Sequence, residues 1–290
     1  MSSLAITGKV ILREVPPGFL VSARILGAAG VLLIAHHLAR EPRVRSLADL
    51  RTFAMLGFLG VTANQTLFLL GLRHTTAINA TILVTTIPVF TVLDSLLTRR
   101  EPASAPKVAG IVLSGAGAVY LIGPDRISLA PSLALGNALI VVAMLAHSAY
   151  LVRSKRMLER YPPITVSLYV MLFGSLFVLP VGVHAVAHTS FGSVGAPTWW
   201  LIGYAVVGPT ILAYFLNIWA LKRLSSHLVA AYIYLQPFFT AAAAPLFLEG
   251  ERITGRTLLA ALAIFAGLAA VIWAERRQRR ELPLGAMLGE

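Results

Sequence analysis

The sequence predicts an all-α polytopic membrane protein: ten helices in two inverted five-helix units (5+5), with the first helix truncated. Three observations carry this expectation. Hydrophobic residues make up 57% of the 290 and charged residues only 12%, whereas a soluble domain carries about 25% charged residues. So few charges do not cover a water-facing surface. The apolar residues also fall in blocks long enough to cross a bilayer core, which takes about 20 residues per helix. Finally, a set of residues recurs along the chain at a nearly constant spacing.

The blocks give the elements in order. Gly18–Ala39 comes first, then Thr52–Gly71 and, after a very short turn, Thr76–Thr98. Pro106–Ile122 closes the first half. The second half contributes Ser132–Val152, Ile164–His188, Pro197–Ala220, His227–Leu248 and Thr254–Ala274. Met1–Leu12 is apolar at its start but too short to cross. Met1 to Glu14 has no charged segment ahead of an apolar core, so no cleavable signal is expected.

The net charge of +12 raises nucleic acid as a partner, and the placement of the charges argues against it. They form short clusters between apolar blocks, as the flanks of membrane spans do. One set of loops holds Arg40, Arg43, Arg45, Arg51, Arg99, Arg100, Lys107, Arg153, Lys155, Arg156, Arg160, Lys222, Arg223, Arg276, Arg277, Arg279 and Arg280. The alternate set holds Lys9, Arg13, Arg73, Arg126, Arg252 and Arg256. This bias, sustained across all the spans, places the first set and the C-terminus in the cytoplasm, and the expected location is the cell (inner or plasma) membrane. The Arg276–Arg280 cluster reads as the stop signal, with anionic lipid as a neighbour. With no cysteine, thiolate metal sites are excluded.

The recurrence is specific. Leu72, Thr76, Pro88 and Phe90 match Leu221, Ser225, Pro237 and Phe239 at a shift of 149. Lys9, Leu12, Pro16 and Pro17 match Lys155, Leu158, Pro162 and Pro163 at 146, and Glu101 and Gly117 match Glu251 and Gly267 at 150. Residues 1–125 and 130–275 are therefore expected to be two copies of one unit, followed by a cytoplasmic tail, 276–290. An odd number of spans per copy turns one over relative to the other, as in secondary transporters. The partner of Ser132–Val152 survives only as Met1–Ile6, so the chain is expected to begin inside its first helix.

These residues resemble the EamA-type ten-span carriers of the drug/metabolite transporter superfamily. His147-Ser148-Ala149-Tyr150 with Lys155 and Pro162-Pro163 is similar to the opening pattern of a family repeat, with His147 where a tryptophan usually stands. Lys9 and Pro16-Pro17 supply the same pattern in the first copy. Arg24 resembles the arginine of the family's second helix. Gly71-Leu72-Arg73-His74-Thr75-Thr76-Ala77 resembles its turn before the next helix, and Gly250-Glu251 also fits. The resemblance implies export or exchange of small metabolites, amino acids or related compounds foremost, by alternating access. The alternatives are a non-transporting partner or sensor subunit and a membrane-embedded enzyme.

No phosphate-binding loop, metalloprotease helix or nucleophile elbow occurs in the sequence, so no enzyme activity, cofactor or metal is expected. Polar residues at membrane depth are costly and tend to face a cavity or a partner. Asn64 and Gln65 sit centrally in their span, Asn64 on a face with Gly57, Gly60 and Phe68. That face either lines a cavity or bonds a neighbouring helix. Asn79 and Thr86 share a face near Pro88, and Pro88 and Pro237 are either hinges or tolerated breaks. Thr210, Tyr214 and Asn217 line one face, and Tyr232 and Gln236 are four residues apart on the next helix. With Tyr150, these are the candidate substrate contacts, because metabolite pockets combine apolar walls with a few hydroxyl and amide groups. Tyr234 is turned elsewhere and fits an interface anchor equally well. His147 is both a substrate candidate and a proton relay candidate, against a buried histidine that merely bonds. Arg24 is a coupling residue, a clamp for a substrate carboxylate or a snorkelling side chain. Asp94 and Glu249, near span ends, are weaker coupling candidates. Gly115-Ala116-Gly117 reads as a close helix contact. The expected partners are a small-molecule substrate, the bilayer and, for coupling, protons; the oligomeric state is left open.

Overall fold

The structure is a computed structural model that describes residues 7, 10–99, 104–122, 130–187, 189, 192, 194–238 and 255–281. The described residues are helices and connecting turns, with no strand among them. In order they are α1 (Pro17–Leu38), α2 (Leu47–Gly57), α3 (Asn64–Arg73), α4 (Ala77–Val84), α5 (Ile87–Leu97), α6 (Ala105–Ile122), α7 (Ala134–Arg160), α8 (Pro163–Ala187), α9 (Ala196–Val206), α10 (Ala213–Leu221), α11 (Ser226–Ala231) and α12 (Gly255–Glu281). A π-helical turn fuses α2 to α3 and another fuses α9 to α10. Eight segments among the described residues are long and apolar enough to cross a bilayer. They match eight of the nine expected spans. The remaining one, His227–Leu248, is described only to residue 238. Met1, Lys9, Arg100, Glu101, Arg126, Phe239, Glu249, Gly250, Glu251 and Arg252 lie outside the described residues.

Local chemistry sets the helix starts. Ser46, Thr76 and Ser225 each accept a backbone N–H three residues on, from Asp49 at 3.3 Å, Asn79 at 3.0 Å and Leu228 at 3.2 Å. Such caps satisfy donors that a helix start leaves orphaned. Ser46 explains why α2 begins five residues before the expected Thr52. The helix α7 runs to Arg160, past the expected Val152, because Arg153, Lys155, Arg156 and Arg160 carry it beyond the apolar zone rather than ending it. The expected single span Thr76–Thr98 is broken between α4 and α5. Pro88 lacks the N–H that would close the helix, and Thr85 and Thr86 donate to Ile82 O and Leu83 O, each at 2.6 Å. Arg40 and Arg99, just past α1 and α5, hold left-handed backbone at φ 53° and 50°.

The bundle closes through small residues. Where α6 crosses α12, a Cβ on Gly110 would meet Gly267 O at 2.5 Å, and one on Gly117 would meet Ala263 Cβ at 2.9 Å. Between these points Ser114 Oγ donates to Ile264 O at 3.1 Å. Close backbone approach of this kind is how helices associate where lipid removes the usual hydrophobic drive. A core cluster including Ile25, Phe53, Leu56, Ile140, Tyr150, Met171 and Ile218 joins α1, α2, α7, α8 and α10. A second, with Ile111, Leu228, Tyr234 and Ile264, joins α6, α11 and α12. Many large apolar side chains point outward, among them Ile34, Val183, Trp200 and Leu262. An outer surface this apolar fits lipid rather than water.

Three ion pairs among the described residues gather at the arginine-rich helix ends. Arg160 meets Asp49 at 2.5 Å, and Tyr161 donates to the same carboxylate at 2.8 Å. Arg153 spans both oxygens of Asp94, at 3.0 and 2.9 Å. Lys107 meets Glu275 at 2.9 Å, and Glu275 also accepts from Ser225 N at 3.1 Å. His227 bonds Ser95 in the same region.

Candidate functional site

The two π turns, Phe58–Ala63 and Val207–Leu212, start 149 residues apart. A π turn inserts an extra residue into the helical ladder and is common at functional sites. In the first, Gly60 is required by its neighbour. An added Cβ would lie 2.4 Å from Cδ2 and 2.5 Å from Cγ of Tyr150, so the Tyr150 ring of α7 rests on the turn. In the second, Pro209 has no donor to give the ladder, and Thr210 Oγ1 donates to Ala205 O at 2.7 Å.

A polar cluster joins the two turns. Tyr214 donates its hydroxyl to Gly60 O at 3.0 Å and accepts from Gln65 Nε2 at 3.2 Å. Gln65 and Tyr214 are themselves 149 residues apart. Arg24 Nε, from α1, donates to Thr210 Oγ1 at 2.9 Å. Asn64 Nδ2 donates to Ala143 O at 3.0 Å. Arg24, Asn64, Gln65, Thr210 and Tyr214 are all buried. His147 adjoins through Tyr150, ring centroids 5.7 Å apart. Amide, hydroxyl and guanidinium groups inside an apolar shell can orient a small polar molecule, because each unmet donor or acceptor there is costly.

Of the expected site residues, Arg24, Asn64, Gln65, His147, Tyr150, Thr210 and Tyr214 come together. Others do not. Asn79 donates to Asn137 Oδ1 at 3.2 Å, and Thr75 donates to the same oxygen at 2.6 Å, at the opposite end of α7 from the ion pairs. Thr86 bonds locally to Leu83 O. Pro88 is buried at the start of α5, while Asn217, Gln236 and Pro237 are half-buried. Tyr232 is exposed and Tyr234 is buried in the second core cluster, beside Gly115. Asp94 is held by Arg153.

The Gly60 carbonyl and the pairing of Gln65 with Tyr214 are not among the sequence expectations. A signal for the pairing exists: the 149-residue spacing that links Leu72 with Leu221 also links Gln65 with Tyr214. Nothing local marks the Gly60 carbonyl, which matters only because a side chain from another helix reaches it.

Known proteins resemble the chain in sequence and fold. A protein named as an uncharacterised transporter, from Archaeoglobus fulgidus, is 29% identical over 234 residues, 80% of each chain. A protein named as a probable terminal-alkyne amino-acid exporter, from Streptantibioticus cattleyicolor, is 28% identical over 68% of this chain and 64% of its own. A solved crystal structure superposes with a TM-score of 0.77 at 22% identity, over 96% of this chain and 94% of that one, a likeness of fold. The profile of the EamA-like transporter family matches residues 1–123 and again 134–273. A multi-pass helical bundle in a bilayer, matched by that profile over both halves, identifies the chain as a member of the EamA-like transporter family.

Proposed function

We propose that the chain exports or exchanges small metabolites, amino acids or related compounds foremost, across the cell membrane. Two inverted repeats, residues 1–125 and 130–275, rock about a site between them, with Pro88 and Pro237 as hinges. The C-terminal tail lies on the cytoplasmic side, as the Lys and Arg bias favours. The reading assigns no catalytic residue, in keeping with relatives that are transporters.

One observation carries it. Gln65 and Tyr214 occupy positions 149 apart, beside π turns 149 apart, and bond one another. Residues so related meet where a two-fold axis between repeats runs, and carriers of this type bind substrate at such an interface. Asn64, Tyr150, His147 and Thr210 surround the pair. Because the cluster is closed to solvent, substrate reaches it only when the halves move. The amino-acid class is supported by the name of the Streptantibioticus cattleyicolor relative and by the amide and hydroxyl chemistry of the cluster.

The test is uptake of labelled amino acids into liposomes holding the purified chain, with and without a pH gradient. Saturable uptake, accelerated by unlabelled amino acid on the far side, is the expected result. Gln65→Ala with Tyr214→Phe lowers it at least tenfold while the protein stays monodisperse. Unchanged uptake in that pair removes the site, and no uptake of any amino acid removes the substrate class. A response to the pH gradient makes protons the coupling ion, with His147 the first residue to replace.

A further inference from the structure

Arg24 has a buried positive charge that the described residues leave uncompensated. It lies two turns into α1 and is 5% exposed. The three ion pairs among the described residues engage Asp49, Asp94 and Glu275, none of them with Arg24. Its Nε is bound to Thr210 Oγ1 at 2.9 Å, and Thr210 gives its own proton to Ala205 O at 2.7 Å. Thr210 therefore acts as an acceptor that fixes the guanidinium plane, and no described residue takes the Nη1 and Nη2 donors. A guanidinium held in one plane with its paired donors open matches a carboxylate, which accepts two parallel N–H bonds.

A second open group lies in the same cluster. Gln65 Oε1 is buried and has no hydrogen-bond partner. Its amide nitrogen is bound to the Tyr214 hydroxyl, which lies within electrostatic range of Arg24. The cluster thus offers open donors on one residue and an open acceptor on another, joined through Tyr214. A buried amide oxygen left unmet is costly at membrane depth, and so is a guanidinium there without a counter-charge.

We infer that Arg24 anchors a carboxylate of the transported molecule, while Gln65 Oε1 accepts from a donor on the same molecule, such as an ammonium group. This rests on the carrier reading above and deepens it: the selected molecule carries an anionic oxygen pair. Thr210 is a positioning residue that aims the fork.

The experiment is competition for labelled leucine and phenylalanine on the purified chain, paired with thermal unfolding. Each amino acid is compared with its decarboxylated amine and its methyl ester. On the wild type, the amine and ester compete about a hundredfold less well than the acid. Arg24→Gln abolishes that preference, and Arg24→Lys, which keeps the charge and loses the fork, retains part of it. Without ligand, Arg24→Gln unfolds at the same or a higher temperature than the wild type, because an uncompensated charge has been removed. Equal competition by acid and amine overturns the inference, as does an Arg24→Gln variant that keeps the preference or unfolds at lower temperature without ligand. If neither amino acid binds, benzoate and succinate replace them. Binding that Arg24→Gln abolishes then keeps the anchor and discards the amino-acid class. Binding of amines alone discards the anchor and keeps the carrier.

Discussion

Replacing Gly60 by alanine places a methyl group where the Tyr150 ring already lies. The new Cβ would stand 2.4 Å from Cδ2, 2.5 Å from Cγ and 2.9 Å from Cε2. Carbon atoms in contact sit about 3.5–4.0 Å apart, so ring and helix must separate by about 1 Å. Overpacking of a dense interior costs about 1–3 kcal/mol. Here it is expected at about 2 kcal/mol, because Tyr150 is boxed in at 1% exposure and cannot turn aside. For a chain of 290 residues that lowers the unfolding temperature by about 3 °C. The assay is thermal unfolding in detergent, followed by tryptophan fluorescence. Gly30→Ala in α1 is the control, since nothing lies within 4 Å of its added Cβ. It should be neutral or stabilising by up to about 1 kcal/mol, the helix preference of alanine over glycine. A Tyr150→Leu background removes the ring and should reduce the cost of Gly60→Ala to about 0.5 kcal/mol. If the two costs simply add, the ring is not what excludes the methyl group and the packing argument fails.

Other perturbations follow from the ion pairs. Glu275→Gln strands the buried Lys107 ammonium and is expected to cost about 3–5 kcal/mol. Lys107→Met with Glu275→Gln recovers most of that in the same unfolding assay, the glutamine oxygen still accepting from Ser225 N. Arg160→Ala costs under about 1 kcal/mol, since its side chain is 56% exposed. Asp49→Asn costs about 1.5–3 kcal/mol, because Tyr161 also loses a charged acceptor. Burial, and then donation to Asp49, push the Tyr161 phenol above its ordinary range. The stability it contributes is complete below about pH 10, the ordinary tyrosine value, and is lost as pH rises through the raised value. Stability measured against pH in this range falls for the wild type and less steeply for Tyr161→Phe.

The bilayer-crossing segments were legible because hydropathy is additive along a helix. A run such as Ile25–Leu38 needs no partner to declare itself. The charges that end such runs misled only where they extend a helix into water, as Arg153–Arg160 do in α7. The site was half legible. Buried polar residues such as Asn64, Gln65 and Tyr214 stand out against an apolar background. Their mutual contacts do not, because those depend on which helices cross. A common face for Tyr232 and Gln236 requires about 100° per residue. The 3-10 turn Tyr232–Tyr234 winds more tightly, and it brings Tyr234 rather than Tyr232 into the core. The first π turn has no local mark either. Phe58–Ala63 is an ordinary apolar stretch until Tyr150, far along the chain, rests on Gly60.

Arg40 and Arg99 show two requirements in conflict at one position. Each occupies left-handed backbone, at φ 53° and 50°, where a non-glycine residue costs about 1–2 kcal/mol. Glycine would relax both turns and would also delete a cation from the charged rim of the bundle. A threading chain is oriented by its flanking cations while it is being inserted, before any folded turn exists to be relaxed. At both positions, then, a backbone conformation that suits glycine is held by a cation that flanks a membrane-crossing segment, and the turn and the charge cannot both be optimal.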